Sequence, residues 1–199
     1  MRIGIYSGTF DPIHEGHVLF AQVSAEQFGL DKILLIPEAE PRQKTDITAI
    51  DHRMRMSELA TVSNPSDIQV VGFEDLPQHT IHGVISRVYN TYPEDEYFLL
   101  MGSDVFRNIG KWGSREDEDG SVNDIAGSVG FIVGINSLSE LAELEEIARQ
   151  LSLTAQFVEP PLMPMSSSKI RKKLATSQLA HGLHDDVARY IDFEKLYRG

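Results

Sequence analysis

No cysteine occurs in the 199 residues. Disulfides and thiolate metal sites are therefore excluded, and the composition agrees with a reducing, cytoplasmic setting. No apolar stretch reaches the roughly 18 residues that a membrane-spanning helix needs, so no membrane partner is expected. The first residues enter a strand directly, with no basic segment ahead of an apolar run, and no secretory leader is expected. Cations are scarce: 18 Lys and Arg stand against 30 Asp and Glu, a formal charge of −12. That balance argues against general nucleic-acid binding, which needs a basic face to displace counterions. It does not argue against a mononucleotide, for which a few local cations and backbone amides suffice. The length fits one domain spanning 1–199, large enough to bury a sizeable core; a homo-oligomer is compatible with it.

The most informative stretch lies at the start. Arg2 to Tyr6 reads as a short buried strand, and Val18-Leu19-Phe20-Ala21 opens a helix. Between them runs Ser7-Gly8-Thr9-Phe10-Asp11-Pro12-Ile13-His14-Glu15-Gly16-His17. A strand, a glycine-containing turn and a helix N-terminus make an anion site, because first-turn amides and the helix dipole both favour negative charge. Gly8, lacking a Cβ, allows close approach to its backbone. His14 and His17, three residues apart at the helix entry, share one face and can both point at that anion.

The remaining chain alternates strands with helices. Strands are expected at 32–36, 68–71, 96–101, 129–135 and 154–158. Helices are expected from the first turn to about Phe28-Gly29, from about 49 to 62 behind a capping box at Thr48-Ala49-Ile50-Asp51, and at 80–90 and 138–151. This pattern predicts an α/β, Rossmann-like, doubly wound parallel sheet with ligands at the carboxyl ends of the strands. The first turn, the Gly102-Ser103-Asp104 turn and the segment 160–168 all follow strands and can meet there. The acidic run Glu116-Asp117-Glu118-Asp119-Gly120 does not fit an EF-hand: its first ligand position would be Arg115 and its twelfth Ala126.

The run from Gly8 to His17 resembles the GTFDPxHxGH signature of the HxGH nucleotidyltransferases, and in particular of nicotinate-nucleotide adenylyltransferases. Met165-Ser166-Ser167-Ser168-Lys169-Ile170-Arg171 is similar to the family's ISSTxIR motif, with Ser168 in place of Thr and Met165 in place of Ile. Gly102 and Asp104, followed by Trp112, resemble its GxD…W segment. The C-terminal run His184 to Ile191, then Leu196-Tyr197, resembles its last helix. The likeness covers nearly the whole chain and implies the HxGH nucleotidyltransferase fold.

The resemblance implies adenylyl transfer from ATP to nicotinate mononucleotide, with Mg²⁺ accompanying ATP. His14 and His17 would meet the α- and β-phosphates. Ser167, Ser168 and Arg171 would hold the β- and γ-phosphates, giving His14, His17 and Arg171 as the catalytic set. Gly8, Thr9, Phe10, Gly16, Gly102 and Asp104 would complete the ATP site, Asp104 through the ribose hydroxyls. Lys44, or Arg42 beside it, would contact the acceptor together with Thr80 and Trp112. Two of these residues have plainer readings, Trp112 as a core anchor and Lys44 as an exposed loop cation; Arg53, which matches a family arginine, reads otherwise as a helix-surface cation. The segment His79-Thr80-Ile81-His82 lacks the family's Asp, which leaves nicotinamide mononucleotide or phosphopantetheine as alternative acceptors. A non-catalytic nucleotide-binding protein of the same fold is the other alternative. His79 with His82, or His181 with His184, offer only two ligands each to a metal and read as surface or site-lining histidines.

Overall fold

The computed structural model describes residues 1–39, 41, 45–62, 64, 66–72, 81–93, 96–112, 122–159, 165–176, 178 and 180–198. Six parallel strands form its centre: β1 (Arg2–Gly8), β2 (Lys32–Pro37), β3 (Ile68–Val70), β4 (Glu96–Gly102), β5 (Gly130–Gly134) and β6 (Ala155–Val158). They lie in the order β3-β2-β1-β4-β5-β6. Around them pack α1 (Glu15–Phe28), α2 (Ile50–Thr61), α3 (Ile81–Thr91), α4 (Ser103–Phe106), α5 (Val122–Ala126), α6 (Leu141–Gln150), α7 (Ser167–Ala175) and α8 (Asp185–Phe193).

The strands are apolar along their whole length because both faces are covered. Alternate residues serve opposite cores. Ile3, Ile5, Leu34, Ile36, Leu99, Phe131 and Val133 join Val84, Val88 and Leu144 of α3 and α6. Tyr6, Ile33, Leu35, Leu100 and Ile132 join Phe20, Met56, Ile170 and Val187 of α1, α2, α7 and α8. Ile3 and Ile5 are fully buried, each worth about 2 kcal/mol of apolar burial. Central β1 pairs with β2 on one side and β4 on the other. The chain winds outward in opposite directions from these two strands, which opens a crevice beyond their carboxyl ends. The first turn and the β4–α4 turn both lie there.

All six strands fall where the sequence places them, within two residues at their ends. β1 runs on to Gly8, because Ser7 and Gly8 stay in register with Ile36 and Pro37. Helix α1 ends at Gly29, whose φ of 61° is left-handed, and its amide donates to Ala25, the C-cap that glycine tolerates best. The capping box at Thr48 does not form. Ala49 stands at the N-cap with no side-chain hydrogen bond, because the Thr48 amide donates instead to the Asp11 carboxylate at 3.3 Å. The short α4 and α5 are not visible in the sequence, being too brief to show a helical period. The acidic run and its flanks (113–121) lie outside the described residues.

Candidate active site

The first turn is built on buried rings. Phe10 adopts a positive φ of 47° and is 3% exposed. Its ring covers Gly8, where an added Cβ would sit 3.1 Å from it. A side chain at residue 8 would therefore displace Phe10. The Phe10 side chain packs, and only its backbone can face an anion. Phe10 and Phe20 meet Tyr6 edge-on at 5.2 and 5.4 Å, and the His17 ring stands edge-on to Phe10 at 5.1 Å. Burial, and secondarily the charge of Asp104, push the Tyr6 phenol well above its usual range.

The two histidines share one face as their spacing predicts. Their rings stack, with centroids 3.7 Å apart and planes inclined by 16°. The His14 amide donates to His17 Nδ1 at 3.2 Å. That nitrogen is therefore an acceptor, and neutral His17 carries its proton on Nε2. His14 is 7% exposed, and burial lowers its pKa to about 4. It meets a phosphate at neutral pH as an uncharged ring. Its Nδ1 is buried with no partner among the described residues, an uncommon state for a buried polar atom. Gly16 makes room for this ring, since a Cβ there would approach it to 3.1 Å.

The helix-start amides are more committed than the sequence suggests. The Glu15 amide donates to the Gly182 carbonyl, and the His17 amide to the His14 carbonyl, both at 2.9 Å. Among the described residues, the Gly16 amide has no such acceptor.

Helix α7 docks directly onto this turn. Ser166 caps it, accepting from the Lys169 amide at 3.3 Å. The Ser167 hydroxyl donates to the Pro12 carbonyl at 2.9 Å, and Arg171 Nη1 donates to the Asp11 carbonyl at 2.5 Å. The Ser168 hydroxyl lies 3.2 Å from that of Ser166. Thus His14, His17, Ser167, Ser168 and Arg171 come together across more than 150 residues of chain.

The β4–α4 turn is braced from behind. Ser103, 1% exposed, accepts from Asn136 at 3.3 Å and from Arg107 at 3.4 Å. A hydrogen bond from Ser103 holds the Glu140 carboxyl below its usual range, and Asn136 and Arg107 add to this. Gly102 leaves space for the Asp104 carboxylate, which would lie 2.7 Å from a Cβ there. Asp104 itself is exposed. Trp112 is half-buried and packs against the core on the Ile3 face, as the anchor reading has it. Lys44, Arg42, Thr80 and His79 lie outside the described residues. His184 caps α8, accepting from the Asp186 amide at 3.3 Å.

Arg53 is not a surface cation: it is fully buried. Its guanidinium donates to three carbonyls, those of Thr48 and Thr9 at 2.8 Å and of Ala39 at 3.1 Å. One planar fork thereby ties the first turn to the exit of β2 and the entry of α2. Burial lowers its pKa, while Asp11 and Glu38 act the other way. The signal was present in the sequence. Arg53 falls in line with Met56, Ser57, Ala60 and Thr61, the buried stripe of α2. Asp11, 3% exposed, is equally internal, and its carboxylate accepts from the Tyr197 hydroxyl at 2.6 Å.

Comparison with known proteins agrees with this geometry. The family model described as cytidylyltransferase-like matches residues 5–173. A protein of Dictyoglomus thermophilum named a probable nicotinate-nucleotide adenylyltransferase is 33% identical, over 99% of this chain and all of its own. One of the same name from Bordetella pertussis is 33% identical over 99% and 98%. In fold, the chain is similar to the Plasmodium falciparum nicotinic acid mononucleotide adenylyltransferase complexed with NaAD. That likeness has a TM-score of 0.80, covers 98% of this chain and 97% of the other, and comes with 19% identity. The histidine-bearing turn, the docked serine–arginine helix and full-length similarity above 30% lead to one conclusion: the chain belongs to the nicotinate-nucleotide adenylyltransferase family of cytidylyltransferase-like enzymes.

Proposed function

We propose that the protein transfers the adenylyl group of ATP to nicotinate mononucleotide, forming deamido-NAD and pyrophosphate, as a single nucleotidyltransferase domain in the cytoplasm. A phosphate oxygen of the acceptor attacks the α-phosphorus of ATP. The new P–O bond forms as the bond to the β-phosphate oxygen breaks, and pyrophosphate leaves with the electron pair. The attacking phosphate is already ionised near neutral pH, so neither a general base nor a covalent nucleophile is needed. The reaction asks for in-line placement and for neutralisation of charge on the transferring and leaving groups.

The observation that carries this reading is the stacked His14–His17 pair with Ser167 and Arg171 anchored on the same turn. His17, protonated on Nε2, donates to the α-phosphate, and neutral His14 donates beside it without its own charge to desolvate. Arg171, with 39% of its side chain exposed, holds the β- and γ-phosphates together with Ser167 and Ser168. The backbone of Gly8, Thr9, Phe10 and Gly16 borders the triphosphate. Asp104 is assigned to the ribose hydroxyls, and Lys44, Thr80 and Trp112 to the acceptor, because their segments resemble the family's motifs.

Among the described residues no group of three His, Asp or Glu side chains is placed to hold a metal ion. Mg²⁺ enters as part of the substrate MgATP, held largely by phosphate oxygens and needing few protein ligands. Among the same residues no helix is long and apolar enough to cross a membrane.

The test is His17→Ala. Pyrophosphate release should fall to background while the circular dichroism spectrum is unchanged; near-normal turnover would refute the mechanism. Parallel assays with nicotinate mononucleotide, nicotinamide mononucleotide and phosphopantetheine identify the acceptor. A preference for either of the last two would keep the chemistry and change the substrate.

A further inference from the structure

Asp11 is the point where four separated parts of the chain meet. Its Oδ1 accepts the Tyr197 hydroxyl at 2.6 Å. Its Oδ2 accepts the Thr48 amide at 3.3 Å and lies 3.9 Å from Arg171 Nη1. The same Arg171 nitrogen is bonded instead to the Asp11 carbonyl, at 2.5 Å. Arg171 is thus attached to the backbone of residue 11 and stops short of a direct hydrogen bond to its carboxylate. A buried carboxylate keeps drawing donors until its lone pairs are met. Among the described residues, Arg53 is a second cation beside Asp11, and it is committed to three carbonyls. The phenol of Tyr197 is the group that satisfies Oδ1.

The arrangement is specified by an unusual backbone. Tyr197 has a φ of 60°, a left-handed conformation that a bulky residue seldom adopts. It follows the end of α8, where the Leu196 amide returns to the Ile191 carbonyl at 3.0 Å. The turn aims the ring inward, and burial together with the bond to Asp11 pushes the phenol far above its usual range. It therefore remains a donor at any working pH.

We propose that Tyr197 is a positioning residue for ATP binding: by occupying Asp11 it keeps Arg171 at the rim of the site, rather than folded onto the carboxylate. Without the hydroxyl, Oδ1 lacks a donor, the carboxylate is free to turn, and the guanidinium, 3.9 Å from Oδ2, closes into a direct hydrogen bond with it. Arg171 then has to be pulled from an ion pair before it can hold phosphate. The inference rests on the reading of Arg171 as a phosphate ligand.

The experiment measures the dissociation constant for MgATP by calorimetry, with kcat and both KM values, for wild type, Tyr197→Phe, Asp11→Asn, the double variant and Arg171→Ala. Tyr197→Phe should weaken ATP about five- to tenfold, the size of one charge-assisted hydrogen bond lost to competition. Its kcat at saturating ATP and its KM for the acceptor should stay within about twofold. With Asn at 11 the charge that draws Arg171 is gone, so the phenylalanine should add no further loss. Unchanged ATP affinity in Tyr197→Phe, or an effect undiminished by Asp11→Asn, would overturn the proposal. If Arg171→Ala leaves ATP affinity intact, the site reading itself is wrong. If Arg171→Ala weakens ATP and Tyr197→Phe does not, only this inference fails. A crystal structure of the wild-type ATP complex decides the matter even for a variant that folds poorly. The Tyr197–Asp11 bond should persist while Arg171 moves to phosphate, and a complex in which Tyr197 has left Asp11 refutes the role.

Discussion

Arg53→Met keeps the length and apolar stem of the side chain and removes only its fork. Three part-buried carbonyls then lose this donor, those of Thr9, Ala39 and Thr48. Each unmet acceptor costs about 1–3 kcal/mol. Against this, the folded protein no longer has to desolvate a guanidinium. Breaking one partner of a buried charged network nets about 3–5 kcal/mol of destabilisation. At a chain length near 200 residues, each kcal/mol moves the melting midpoint by about 2–4 °C, so a fall of about 6–20 °C is expected. Arg53→Lys should lie between wild type and Met, since an ammonium keeps the charge but cannot span three acceptors lying in one plane. Urea unfolding followed by circular dichroism provides the free energies, with unchanged m-values showing that the native state is otherwise intact. Pyrophosphate release at 20 °C reports function, and kcat/KM should fall at least about tenfold as the Thr9 end of the turn loosens. A midpoint within about 2 °C of wild type in the Met variant would show that these bonds are replaceable by water and would refute the clamp.

Four further outcomes follow from the same geometry. The His14 pKa is lowered to about 4 from an unfolded value of 6.5, so the unfolded chain binds more protons between these limits. Stability from keeping His14 neutral is complete above about pH 6.5 and is lost as pH falls toward 4, about 3 kcal/mol in all; His14→Gln should flatten that limb in pH-dependent urea titrations, and an identical acid profile would contradict it. Gly16→Ala brings a Cβ to 3.1 Å from the His14 ring; turnover should drop about tenfold or more with little change in melting, whereas full activity would mean the ring can shift harmlessly. Gly29→Ala forces a Cβ into a φ of 61° and should cost about 1 kcal/mol in urea unfolding without touching KM. Ser103→Ala removes the brace behind Asp104 and should raise KM for ATP several-fold while kcat holds, to be read by steady-state kinetics.

Much of this was legible because it depends on local chemistry. The strand–turn–helix of residues 2–28 announces itself by β-branched residues, a glycine turn and an apolar helix start, and the structure has all three. Gly29 read as a C-cap because its left-handed φ is a local requirement. The capping box at Thr48 misled for the opposite reason: the Thr48 amide found its acceptor 37 residues away in Asp11, and no local rule contains that contact. Arg53 and Tyr197 are plain in the sequence, but their partners are not. A charged residue on an apolar stripe is ambiguous until its carbonyl partners are placed, and those come from residues 9, 39 and 48. The partners of Asp11 are separated from it by up to 186 residues. The histidine face of the candidate site is written into one contiguous motif, whereas Arg171 and the residues that brace the turn join it only after folding.

The acidic balance of the chain looks opposed to a polyanionic ligand, but distance decides. At physiological salt, exposed charges farther apart than about 8 Å are largely screened, so a formal −12 spread over the surface contributes little inside the crevice. What counts is the charge beside the first turn. Helix α7 carries Lys169, Arg171, Lys172 and Lys173, four of the 18 cations of the chain in five residues, and its start is fastened to Pro12 and Asp11 by Ser167 and Arg171. Among these, only Arg171 reaches into the network, so it alone has a fixed orientation; the lysines add field without geometry. His14 contributes no charge at neutral pH. Among the described residues, the candidate site therefore combines one aimed cation with neutral donors held by buried partners. This suits a reaction in which ground-state triphosphate must be released as pyrophosphate: a cluster of bare cations would bind substrate and product equally tightly, while positioned neutral donors can favour the charge that develops during transfer.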